Sequence, residues 1–165
     1  MTRVFWDEMA KSFLQEVLEP AGKPETEHRI VAHEAQFADV WFEPDPKQAD
    51  KRKRLGWLGT MSEQACIFET FSNLPQMDDV RECLRKVLGK HHHRMMEHKK
   101  KGHAWPDMPR LWIIAPAIPK GMAQAFGFQA SPLWPSGIKL SPRGIQLGWV
   151  ALAELPKTRE TLMLR

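Results

Sequence analysis

The chain has 165 residues, 42% hydrophobic and 27% charged, so it is long enough to bury a core and too apolar for a disordered segment. No apolar run approaches the roughly 18–20 residues of a membrane-crossing helix, which excludes a bilayer-spanning reading. The formal charge of +4 permits nucleic-acid binding without demanding it.

These figures predict one domain over residues 1–165. The first residues lack a basic stretch followed by an apolar core, so no signal peptide is expected and the chain reads as cytoplasmic. Cys66 and Cys83 lie in apolar periodic segments. They read as reduced core thiols, not as a disulfide or a zinc site.

In chain order, residues 3–19 predict an amphipathic helix. Phe5, Trp6, Met9, Phe13, Val17 and Leu18 form the apolar side, and Pro20 and Gly22 stop it. Glu16 lies at the border of that side, where a solvent-exposed edge is the ordinary outcome and a site-facing acid the alternative. Residues 29–32 and 36–42 predict two strands. The period of two puts Phe37, Asp39 and Trp41 on one face of the second. Residues 44–54 predict a polar loop ending in the basic run Lys51, Arg52, Lys53 and Arg54. Residues 55–59 predict a short strand. Residues 65–71 predict a firmer one, with Ile67, Glu69 and Phe71 on one face.

The clearest helix follows. Val80, Cys83, Leu84, Val87 and Leu88 repeat at helical spacing, Asp78 and Asp79 suit its first turn, and Lys99 and Lys100 mark its end. Residues 110–115 are a continuous apolar run, as in a buried central strand. Residues 120–126 predict a short helix capped by Gly127, residues 131–141 an irregular stretch, and residues 144–152 a last strand. Residues 158–164 could begin a further helix. The order is α-β-β-β-α-β-(α)-β, a mixed sheet flanked by helices.

Asp39 and Glu69 each interrupt a greasy strand. A carboxylate there is costly unless it is paired, hydrogen-bonded or bound to a metal. Two of them on strands that could be neighbours are the main functional clue.

The element order, with an Asp on one strand and a Glu on the next in Phe68-Glu69-Thr70-Phe71, resembles the PD-(D/E)xK nuclease superfamily. More closely, the chain looks like a cyanobacterial group of small Rpn/YhgA-like proteins, often loosely labelled flagellar assembly protein H. Ala38-Asp39-Val40-Trp41-Phe42, Cys66-Ile67-Phe68-Glu69-Thr70-Phe71 and Leu111-Trp112-Ile113-Ile114-Ala115-Pro116 carry that likeness. The flagellar label has no support, since coiled-coil heptads are lacking.

The resemblance implies an α/β, restriction-endonuclease-like fold and hydrolysis of nucleic-acid phosphodiesters with Mg²⁺ or Mn²⁺. Asp39 and Glu69 would be the metal carboxylates, Glu16 a third acid and the Thr70 carbonyl a further oxygen ligand. Lys51, Arg52, Lys53, Arg54, Lys99 and Lys100 would hold the phosphate backbone. One departure stands out. The pattern's lysine, two residues after the Glu, is Phe71 here, and Lys86 or Lys90 on the long helix would have to replace it. The alternative is a catalytically inactive, nuclease-like binding or regulatory module. Apolar residues within 104–135, if exposed, would suit a homodimer face.

Two further chemistries are weaker. Consecutive histidines on a helix point about 100° apart, so His91, His92 and His93 cannot share one ion. Neither cysteine has a histidine nearby in sequence, and no Gly-x-Ser-x-Gly motif or P-loop is present.

Overall fold

The computed structural model describes residues 8–9, 11–13, 15–16, 19–21, 23–25 and 35–165. The chain forms two compact units, Met1–Ala35 and Gln36–Arg165. In the first, the described residues between 8 and 16 are helical, as the periodicity predicts, and a 3₁₀ turn spans Glu19–Ala21. Met9 and Phe13, on the apolar side of the predicted helix, are exposed, as is Glu16. Lys11 pairs with Glu8 at 2.9 Å. The predicted strand over 29–32 lies outside the described residues.

The second unit is a mixed α/β structure built on a six-stranded sheet flanked by helices. The strands are β1 (Val40–Phe42), β2 (Cys66–Thr70), β3 (Arg110–Ala115), β4 (Gln129–Ala130), β5 (Ile138–Leu140) and β6 (Leu147–Ala151). They lie in the order β1-β2-β3-β6-β5-β4. The central strands β2, β3 and β6 run parallel, while β1, β5 and β4 join antiparallel at the two sides. The helices are α1 (Ala49–Lys53), α2 (Trp57–Met61), α3 (Met77–Lys100) and α4 (Met122–Phe126), with a 3₁₀ turn at Arg159–Leu164.

Alternation along the strands sorts the core into two layers. Ile67, Leu111, Ile113 and Trp149 pack with Val80, Cys83 and Val87 of α3 on one face. Cys66, Phe68, Trp112 and Val150 pack with Met61 and Leu155 on the other. Strand β3 is buried on both faces, as its unbroken apolar run predicts. α3 begins in a capping box, in which the Gln76 N–H donates to Asp79 at 2.7 Å.

Several expectations are corrected. Residues 55–59 are not a strand. α2 follows the N-cap Gly56, whose φ of +60° only glycine adopts cheaply, and its Trp57, Leu58 and Met61 cover the core at helical spacing. The basic run is not a loop: Lys51, Arg52 and Lys53 form the last turn of α1 and Arg54 caps it. The strand expected over 36–42 is ordered as strand only from Val40, for a reason that emerges at the site. Residues 138–140, within the stretch read as irregular, form β5, and β4 was not anticipated. Gly137, at φ +88°, lets β5 turn in against β6, where a Cβ would meet the Ala151 carbonyl at 2.9 Å. Among the described residues, no helix is long and apolar enough to cross a membrane.

Candidate active site

β1 and β2 pair antiparallel with Val40 opposite Phe68, which brings Asp39 and Glu69 across from each other one step further on. At that step the side chains take over from the ladder. The Thr70 N–H donates to Asp39 Oδ2 at 2.8 Å, and the Thr70 hydroxyl donates to the same oxygen at 3.0 Å. The Asp39 N–H in turn donates to Glu69 Oε1 at 3.4 Å. Each carboxylate thus reaches the backbone of the opposite strand. This exchange is why regular strand begins only at Val40.

Glu69 is 3% exposed, and a buried carboxylate needs a partner. Its partner is Lys86 on α3, whose Nζ lies 2.9 Å from Oε2. The Lys86 side chain is 22% exposed. Burial by itself pulls the Lys86 pKa down. The hydrogen bond and charge of Glu69 outweigh that, so the net direction is upward from the ordinary 10.5. Lys86 is therefore a permanent ammonium at neutral pH. Arg81, five residues before Lys86 on α3, pairs with Asp78.

Asp39, Glu69 and Lys86 line an open cleft of about 220 Å³ together with Asp79 and Glu82 of α3. Sequence reading did not single out Asp79 and Glu82 for this place. Their spacing of three and seven residues from Asp79 to Glu82 and Lys86, one helical stripe, was the available signal. Thr70, Phe71 and Cys83 complete the cleft wall. Burial, reinforced by the Glu69 charge, pushes the Cys83 thiol up to about 12, and burial alone does the same to Cys66. Both are free thiols and poor nucleophiles.

The remaining candidates lie elsewhere. α1 and α2 connect Phe42 to Cys66, at the end of the β1–β2 pair away from Asp39 and Glu69. Lys51, Arg52, Lys53 and Arg54 are therefore not beside the acids. Lys99 and Lys100 sit 13 and 14 residues beyond Lys86 on α3, about 20 Å along the axis at 1.5 Å per residue. Lys90 does not reach the acids; its Nζ lies over the Trp41 ring at 4.6 Å. Glu16 belongs to the first unit. Among the described histidines, His98 and His103 meet edge to face with ring centres 5.8 Å apart, His93 lies 3.5 Å from Glu97, and His98 Nδ1 lies 2.7 Å from the Ala104 carbonyl oxygen. Among the described residues, no group of three or more His, Cys, Asp or Glu side chains is disposed to hold a metal ion.

No protein-family model, no curated protein and no solved structure matches this chain. The site is therefore read from its own chemistry.

Proposed function

We propose that Asp39, Glu69 and Lys86 form the site of a metal-dependent phosphodiester hydrolase acting on nucleic acid. In this reading the second unit is a restriction-endonuclease-like fold of the PD-(D/E)xK type. Lys86 takes the role of the pattern's lysine, whose place Phe71 holds. The observation that carries this is the ammonium of Lys86 at 2.9 Å from Glu69, delivered from a helix instead of from the strand.

The donor set suits a hard ion. Two carboxylates from facing strands line one cleft, Glu69 nearly covered with both oxygens engaged and Asp39 with an Oδ1 that accepts no hydrogen bond from the described residues. Mg²⁺ takes one or two carboxylates and keeps several waters, so a third protein acid is not required; Mn²⁺ suits the same oxygen donors. Asp39 and Glu69 would hold the ion, with the Thr70 carbonyl as a further candidate. When bound, it would acidify a water and neutralise phosphate charge.

The chain's own groups divide the remaining work. Thr70 fixes Asp39 Oδ2 with two donors, which leaves the other oxygen without a donor among the described residues. Lys86, protonated at neutral pH, stabilises negative charge building on the phosphoryl oxygens. It is not the general base, because its pKa is raised and no proton site is vacant on Nζ. Asp79 adds to the negative charge of the cleft, whose Glu82 is paired with Arg85 at 2.8 Å. A phosphate is repelled from it until a cation is present, which predicts strict metal dependence.

The test is cleavage of plasmid and single-stranded DNA and of RNA with Mg²⁺ or Mn²⁺, comparing wild type with Asp39→Ala and Lys86→Met. Metal-dependent cleavage that both substitutions abolish supports the reading. Cleavage that survives both in folded protein overturns it.

One observation favours a second reading, an inactive nuclease-like binding or regulatory module. Glu69 is nearly covered and already neutralised by Lys86, so the pair could serve stability alone. Absence of cleavage by folded wild-type protein with either metal would select it.

A further inference from the structure

On the opposite face of the sheet, at the opposite end of the central strands, lies a second cluster that the acidic cleft does not use. Arg110 opens β3, and its guanidinium sits 5.6 Å from the ring centre of Trp112, two residues along on the same face. Trp112 is 1% exposed, and its indole N–H is anchored to the Met61 carbonyl at 3.1 Å. Trp134 packs at a tilt 5.4 Å from Trp112 and 5.3 Å from Trp57, and both Trp134 and Trp57 are half-buried. Three indoles are thus stepped from the core to the surface. Arg110, Trp112 and Trp134 line a cleft of about 250 Å³.

Arg110 is the informative residue. It is half-buried, and burial pulls its pKa down with no carboxylate acting in the other direction. Its side-chain hydrogen bond to a described residue is a long one, 3.4 Å to the Gln146 amide oxygen. A guanidinium carries five donors and is costly to desolvate without an anion. Beside the cleft, across Thr60 and Glu63, a second depression of about 460 Å³ is lined by Arg52, Lys53 and Trp57 together with the carboxylates Glu63 and Glu160. The basic run that the sequence singled out, remote from the acids, therefore adjoins the aromatic steps. Aromatic faces beside cations bind nucleotides by stacking the base and holding the phosphate.

We propose that this cleft is a nucleotide-binding subsite, with a base laid on Trp134 and its phosphate held by Arg110. It stands apart from the Asp39–Glu69 cleft and does not require that cleft to be catalytic. The ligand is a nucleotide unit, either free or within a single strand that continues toward Arg52 and Lys53.

The test is a titration of the whole chain, without metal, with nucleoside 5′-monophosphates and separately with a short single-stranded oligonucleotide. It is read by tryptophan fluorescence and calorimetry. Saturable binding is expected, weakened roughly fivefold or more in both Arg110→Gln and Trp134→Leu, as loss of one stacking or phosphate contact entails. Asp39→Ala should leave it unchanged, so failure of the hydrolase reading and failure of this one are separable. Saturation by the monophosphate identifies a free nucleotide, and saturation by the oligonucleotide alone identifies a strand. If Arg110→Gln does not fold, the half-buried Trp134→Leu carries the test. No saturable binding of either ligand, or binding untouched in the folded variants, overturns the proposal.

Discussion

Lys86 on α3 and Glu69 on β2 are 17 positions apart in sequence, yet they meet at 2.9 Å with Glu69 buried. Replacing Lys86 with Met leaves a nearly covered carboxylate without its counter-ion. The expected loss is about 3 kcal/mol of folding stability, since removing one partner of a buried pair strands the other. Urea denaturation measures it. Lys86→Arg keeps the charge and should recover most of that loss. A variant with wild-type stability after Lys86→Met would show that the pair contributes nothing.

The same pair gives an alkaline signature. The folded-state pKa of Lys86 lies above its ordinary value of 10.5. The native state therefore holds this proton more tightly than the unfolded chain does. Its stabilising contribution is complete below the unfolded value and is lost as pH rises through the folded one. Between neutral pH and about pH 10 the Lys86 contribution should be flat. Above that, wild type should lose stability in a step that Lys86→Met lacks, visible as a difference between their melting temperatures across an alkaline series.

Asp39→Asn separates architecture from chemistry. The amide oxygen of Asn can still accept from the Thr70 N–H and hydroxyl, so folding stability should shift by no more than about 1 kcal/mol. Under the hydrolase proposal, metal-dependent cleavage should fall to background, because the carboxylate charge is gone. Retention of full cleavage would remove Asp39 from the metal set.

Gly148 in β6 pairs with Trp112, whose ring lies across it. A Cβ there would meet the ring at 2.1 Å. The ring is fully buried and held by Met61, so it cannot swing aside cheaply. Gly148→Ala should cost about 1–3 kcal/mol by overpacking and disturb the near-ultraviolet signal of the tryptophan cluster. An unchanged melting temperature would mean that the ring has room to move.

Much of the second unit was legible in its sequence, and the exceptions have physical reasons. α3 and β3 announce themselves because their periodicity is long and clean over Val80 to Leu88 and Arg110 to Ala115. α2 was misread because Leu-Gly-Trp-Leu-Gly is too short for periodicity to separate helix from strand. The deciding feature is the positive φ of Gly56. β4 and β5 hide among prolines, and two- or three-residue strands owe their form to the neighbour they pair with. The acids were visible as misfits in apolar strands. That they exchange hydrogen bonds across the ladder follows from a register the sequence does not print. Lys86 was one of two candidates on a helix, and only the packing angle of α3 separates it from Lys90. The basic run was legible as charge but not by location, because position 51 says nothing of which end of the sheet its connection crosses.

The place of β6 in the sheet has a consequence for how the chain is made. Leu147–Ala151 is the last strand in sequence yet sits in the middle, between β3 and β5. While the chain is being synthesised, β1, β2, α3 and β3 emerge first and can assemble the acidic cleft, but β3 then presents one open hydrogen-bonding side until β6 arrives. Pairings between positions this far apart are slow to form. A chain halted before residue 147 would expose the apolar edge of β3, a template for the wrong partner.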